Sequence, residues 1–152
     1  MKDLADRTES RYKPKVNGRA YTKGKRMWRV ENADRLGPYN YKQGRRGTNS
    51  VPISMYTPFN HPGPDQDPLI EAAWARLVSN GAHKDYIFGF SSLKSVYLWF
   101  NSPDQIAWLK ANNFKIAVYR AVGPSLIGKS QVIVRRDDVI LVRYLSEQEG
   151  GL

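Results

Sequence analysis

Polar and apolar residues alternate in the stretch RMWRVE, residues 26 to 31, so that Trp28 and Val30 fall on one side of an extended chain and Met27, Arg29 and Glu31 on the other. A period of two predicts a strand, with Trp28 and Val30 in the core and Arg29 directed into a cleft or solvent. The period lengthens beyond residue 67. Leu69, Ile70, Ala73, Trp74, Leu77 and Val78 form one helical stripe, opened by Asp67 and Pro68 and closed by Gly81. DYIFGF then reads as a strand, and Ser91 or Ser92 can cap the helix LKSVYLWF, whose Val96, Tyr97 and Phe100 share one side. SPDQIAWLKANN is a second short helix with Pro103 in its first turn. FKIAVYRA returns to alternation with Phe114, Ile116 and Val118 inward, and SQVIV and VILVRYL flank the polar turn RRDD as a hairpin. Helices in the middle and strands gathered at the end favour an α+β domain, with a mixed or antiparallel sheet and two to three helices, over a doubly wound sheet.

The 152 residues have room for one core. Residues 1–25 carry no apolar period and are expected to form a flexible extension, 26–146 the compact domain, and 147–152 a frayed tail. Within the domain, VPISMYTPFNHPGPDQDP holds five prolines, which exclude a helix or a central strand. A connection that long is more often functional than idle, which singles out His61, Asp65 and Asp67. The absence of cysteine removes disulfides and thiolate metal sites, and two histidines leave no basis for a zinc centre. No apolar run approaches the roughly 20 residues of a membrane helix, and MKDLADRTESRYKPK has no apolar block of a secretion signal. The expectation is a soluble, cytoplasmic protein without membrane contact.

Charge is distributed unevenly. The formal net charge is +10, and residues 1 to 46 alone hold fourteen Lys and Arg against five acids. The rest of the chain is nearly neutral. Lys13, Lys15, Arg19, Lys23, Lys25, Arg26, Arg45 and Arg46, with Tyr12 and Tyr21 among them, can neutralise phosphates and stack on bases, so a nucleic acid is a candidate partner and a host protein the alternative. A solvated tail that maintains solubility is the plainer reading of the same charges.

There is no phosphate-binding glycine loop, no pair of histidines at metal spacing and no Gly-x-Ser-x-Gly elbow. Three other stretches carry a resemblance. MWRVE with Arg29, the corner FGFSSLKSVYLWF, and the closing segment FKIAVYRAVGPSLIGKSQVIVRRDDVILVRYL follow one another as in the arginine-serine-glutamate class of ADP-ribosyltransferases. That class places an arginine on the first core strand, a serine corner before a helix, and a glutamate motif at the entry to the last strands. The start WRVE, the triplet GPY, FGFSSL and a late Gln-Val also resemble small phage and prophage proteins.

The first likeness implies an ADP-ribosyltransferase-like fold and NAD as cofactor. Arg29 would pair with the diphosphate through its guanidinium fork, Ser91 would bond near the nicotinamide-side ribose with Ser92 beside it, and Tyr39 or Tyr86 would stack on the nicotinamide. His61, between turn residues and two aspartates, is a further cofactor-side candidate. The catalytic set carried over is Arg29, Ser91 and Gln131. Gln131 stands where the class has its glutamate, so the negative charge that favours an oxocarbenium-like state is missing unless Glu31 or Asp65 supplies it. The expected function is an ADP-ribosyltransferase-like protein, phage-encoded and acting in the host cytoplasm, that binds NAD or a related nucleotide and modifies or sequesters a host target. The alternatives are a non-enzymatic nucleic-acid-binding protein working through its basic arm, and an interaction protein docking on a host or phage complex.

Overall fold

In the computed structural model, residues 25–40, 63–129 and 131–152 are described. They form six strands, β1 (Arg26–Glu31), β2 (Tyr86–Gly89), β3 (Lys115–Ala121), β4 (Ser125–Ile127), β5 (Val132–Arg135) and β6 (Val139–Tyr144). The helices are α1 (Glu71–Ser79), α2 (Leu93–Trp99) and α3 (Pro103–Ala111), joined by short 3-10 turns. The strands make two antiparallel three-stranded sheets, ordered β1-β3-β6 and β2-β5-β4. The architecture is a single α+β domain. Among the described residues no helix is long and apolar enough to cross a membrane.

One backbone pair ties the sheets together. Trp28 N donates to Phe90 O at 2.9 Å and Phe90 N to Trp28 O at 2.7 Å, which sets β1 beside the end of β2. Apolar clusters then line both faces. Trp28 and Val30 pack with Phe90, Val96, Trp99, Phe100, Ile116 and Val118 under α2 and α3, while Met27 meets Ile87, Tyr119, Val132 and Val134. A third cluster seats Ile70 and Ala73 on Leu126 and Ile133, with Trp74, Leu77 and Phe88 at its rim. β3 lies at the centre of its sheet, so Ala117, Tyr119 and Ala121 are as buried as Ile116 and Val118, and alternation there marks faces rather than inside and outside.

Helix punctuation follows the residue types. Asp67 O accepts from Glu71 N at 2.8 Å and its Oδ1 from Leu69 N at 3.0 Å, so Asp67 starts the helical turn that becomes α1. Its Oδ2 accepts from Lys129 N at 2.7 Å and fastens that turn to the β4–β5 loop. Gly81, at φ 70°, ends the segment in the left-handed region that glycine enters at no steric cost. Ser92 caps α2, its Oγ accepting from Ser95 N at 3.1 Å. Ser102 caps α3 ahead of Pro103.

Two expectations need correction. The segments around RRDD do not form a hairpin, because β5 pairs with β2 and β4 whereas β6 pairs with β3, and Arg136–Asp138 is a 3-10 crossing from one sheet to the other. The true hairpin is β4–β5, through the loop in which Gly128 N donates to Gln131 O at 2.8 Å. The C-terminal residues do not fray either. Ser146 and Glu149 form a capping box, Tyr97 Oη donates to Gly150 O at 2.6 Å, and Leu152 packs against the α2–α3 core.

Candidate functional site

The bridge at Trp28 and Phe90 has a functional consequence through strand register. β2 continues to β5 with Gly89 opposite Val132, so the strand of Arg29, the corner that holds Ser91 and the start of β5 at Gln131 lie side by side. The backbone therefore brings the three segments together. Their side chains do different things.

Arg29 does not open onto a cleft or solvent. It is buried at 6% exposure, and each guanidinium nitrogen donates within the protein: Nε to Glu31 Oε1 at 3.1 Å, Nη1 to Phe88 O at 2.8 Å and Nη2 to Arg35 O at 3.2 Å. The sequence pattern put Arg29 and Glu31 on one face of β1, but only the β2 sheet folding over that face encloses them. Burial pulls Arg29 below its ordinary pKa, opposed by the neighbouring Glu31. Gly37 lies close against the guanidinium, where a Cβ would sit 3.5 Å from Nη2. The hairpin-like turn that delivers it is held by Asn32 Oδ1, which accepts from Asp34 N at 2.9 Å and Leu36 N at 3.0 Å.

Glu31 is wholly buried. Its Oε1 accepts from Arg29 and from Tyr119 Oη at 2.7 Å, and Oε2 accepts from Tyr144 Oη at 3.0 Å. It is thus an internal counterion, which corrects its candidacy as a stand-in for the missing catalytic glutamate. Burial pushes the phenol of Tyr119 up, and the hydrogen bond to Glu31 and that carboxylate's charge push it further; Tyr144 shifts the same way for the same leading cause. Sequence inspection missed this four-residue network. Tyr119 and Tyr144 lie 88 and 113 residues from Glu31, so no local pattern announces them.

At the corner, Ser92 is occupied as the α2 cap, with its Oγ 2.8 Å from Ser95 Oγ, while Ser91 is exposed. Gln131 is buried at 7% exposure, next to Val132, which faces the Met27 cluster. Tyr39 is 43% exposed, and its Oη accepts from Trp99 Nε1 at 2.9 Å, which fixes it beside the end of α2. Tyr86 is not brought to this junction. It sits five residues before Ser91, about 17 Å along an extended strand, opposite Arg135. His61, Lys13, Lys15, Arg19, Lys23, Arg45 and Arg46 lie outside the described residues, as does the side chain of Asp65. Lys25 and Arg26 are described and exposed.

A small two-sheet α+β domain with an internal arginine–glutamate pair is therefore what the residues build, and its sequence has a phage affiliation. Residues 23–148 match the family described as Bacteriophage T4 Y00F protein, and the chain belongs to that family. No curated protein and no solved structure matches it.

Proposed function

We propose that this phage-family protein binds NAD or a related nucleotide at the junction of β1, β2 and β5, and sequesters a host target rather than transferring ADP-ribose to it efficiently. The observation that supports this reading is the strand adjacency, through the Trp28–Phe90 and Gly89–Val132 pairs, of the three segments named by the likeness to ADP-ribosyltransferases. Arg29 does not fit the part of a diphosphate ligand, since all three guanidinium nitrogens already donate inside the protein. It acts instead as a positioning residue, pinning the end of β2 through Phe88 O. Of the residues at the junction, Ser91 is exposed and Tyr39 is 43% exposed. Gln131 is buried and carries no negative charge, so the electrostatic contribution to an oxocarbenium-like transition state is absent at that position.

Calorimetric titration of the full chain with NAD and with ADP-ribose tests the reading. Binding should weaken about tenfold or more in Ser91→Trp, a surface change, and in Tyr39→Ala, which also removes the acceptor of Trp99 Nε1 and is therefore compared after its fold is verified by circular dichroism, and labelled NAD should transfer no label to host extract. Failure of NAD and ADP-ribose to bind at millimolar concentration would remove it. A second reading, nucleic-acid binding through the basic arm, is supported by the Lys and Arg of residues 1 to 46 other than the buried Arg29. It predicts binding to DNA or RNA that falls steeply with salt and is lost on deleting residues 1–25, whereas salt-insensitive capture of one host protein would point to docking instead.

A further inference from the structure

The second half of α1 does not close down on the β2-β5-β4 sheet. Between them lies a cleft of about 560 Å³ whose walls include Arg76, Asp85, Tyr86, Ser125, Arg135 and Asp138. None of the residues named at the β1–β2–β5 junction lines it. Its volume is within the range of about 300–1,000 Å³ usual for small-molecule sites.

The lining is chemically divided. Arg76 comes from α1 and Arg135 from the end of β5; both are exposed, and neither makes an ion pair with another described residue. Neither guanidinium group is within ion-pair distance of a described carboxylate, although Asp138 is near enough to sense Arg135, and two such groups on one hollow are suited to a multiply charged oxyanion, which a guanidinium fork can hold through two parallel bonds. Asp85 and Asp138 offer carboxylate oxygens for hydroxyl or amine donors. Ala73, Leu77 and Leu126 give an apolar wall, and Tyr86 adds an aromatic ring. Ser125 carries a buried hydroxyl with no hydrogen-bond partner among the described residues. The groups also sense one another: burial raises Tyr86 and Asp138, with Arg135 opposing both shifts and Asp85 and Asp138 adding to that of Tyr86.

We infer that this cleft is a second ligand site, for a molecule that combines a phosphate, a hydroxylated sugar and a flat ring, of which a nucleoside monophosphate is the smallest complete example. The phosphate sits between Arg76 and Arg135, the sugar hydroxyls donate to Asp138 and Asp85, and the base lies against Tyr86 and the apolar wall. Gly123 lies so close to Asp138 that a Cβ there would stand 2.6 Å from Cγ, so the carboxylate keeps this place on the cleft wall only beside a glycine.

The test is a titration of the full chain with AMP, ribose 5-phosphate, adenosine and inorganic phosphate, followed by amide chemical shifts at Asn80, Tyr86 and Leu126. AMP should bind tightest and shift those amides. Arg135→Ala and Arg76→Ala, both at exposed positions, should each weaken AMP about tenfold while leaving adenosine unchanged, and Ala73→Trp should block both ligands. Ser91→Trp should leave AMP binding unaltered, which separates this site from the nucleotide site proposed at the junction. Equal affinity for inorganic phosphate and AMP, indifference to both arginine variants, or shifts confined to residues outside the cleft would each overturn the inference. Because Ala73 is buried, a folding defect in Ala73→Trp leaves the two arginine variants to decide.

Discussion

Replacing Glu31 by alanine tests the view that this carboxylate is an internal counterion. The side chain has no solvent exposure and accepts three hydrogen bonds, from Arg29 at 3.1 Å, Tyr119 at 2.7 Å and Tyr144 at 3.0 Å. Its removal leaves the Arg29 charge buried without a counterion and two phenols without their acceptor. Breaking such a pair from one side costs about 3–5 kcal/mol, because the remaining charge has lost its compensation and cannot reach water. Against a total of about 5–15 kcal/mol for a domain, that is a large fraction of the stability. At about 2–4 °C per kcal/mol for a chain of this size, the melting temperature should fall by about 6–20 °C. Urea unfolding followed by tryptophan fluorescence measures the change as a shift of midpoint at constant slope. Glu31→Gln keeps the shape and one acceptor, and should lose less, about 1.5–3 kcal/mol. The double variant Arg29→Met with Glu31→Leu removes the orphaned cation and should regain most of the loss of Glu31→Ala. A loss below about 1 kcal/mol in Glu31→Ala, or a double variant no more stable than the single one, would refute the reasoning.

Three further outcomes follow from the same structure. Tyr119 is held above the ordinary tyrosine value of 10.0, first by burial and then by Glu31, so its folded form keeps the proton that the unfolded chain releases. Its contribution is therefore complete below about pH 10 and lost as pH rises beyond it; Tyr119→Phe should flatten the alkaline arm of a stability–pH curve, and an unchanged arm would contradict the assignment. Ser92→Ala should cost about 1 kcal/mol through loss of the α2 cap, whereas Ser91→Ala should stay within about 0.5 kcal/mol; equal losses in chemical denaturation would mean the cap is misassigned. Gly89→Ala should destabilise clearly, since a Cβ there would stand 2.6 Å from Met27 Cγ and 2.8 Å from Trp28 O, the acceptor of the bridge between the sheets; a fully stable variant would show that the bridge yields without cost.

Much of the local structure was decided by residue order alone. The strand at 26–31, α1 with Asp67 before it and Gly81 after it, the serine-capped helices and the α+β class all follow from period, capping chemistry and the conformational limits of proline and glycine, which act within a few residues, although Leu69 and Val78 of the expected α1 stripe are exposed. Partner choice did not follow. RRDD flanked by apolar runs has every local mark of a hairpin, yet β5 and β6 belong to different sheets, because pairing energy depends on which strand lies alongside rather than on the turn between them. β4 escaped notice for a related reason, being three residues long and stable only against β5. The candidate site divides in the same way. The sequence picked out Arg29, Ser91 and Gln131, and the fold does set their strands side by side. Whether Arg29 faced a ligand or the interior rested on a second sheet covering β1 and on two tyrosines roughly a hundred positions away. Burial and the company of a distant carboxylate or phenol are properties of packing, and a one-dimensional pattern carries no term for them.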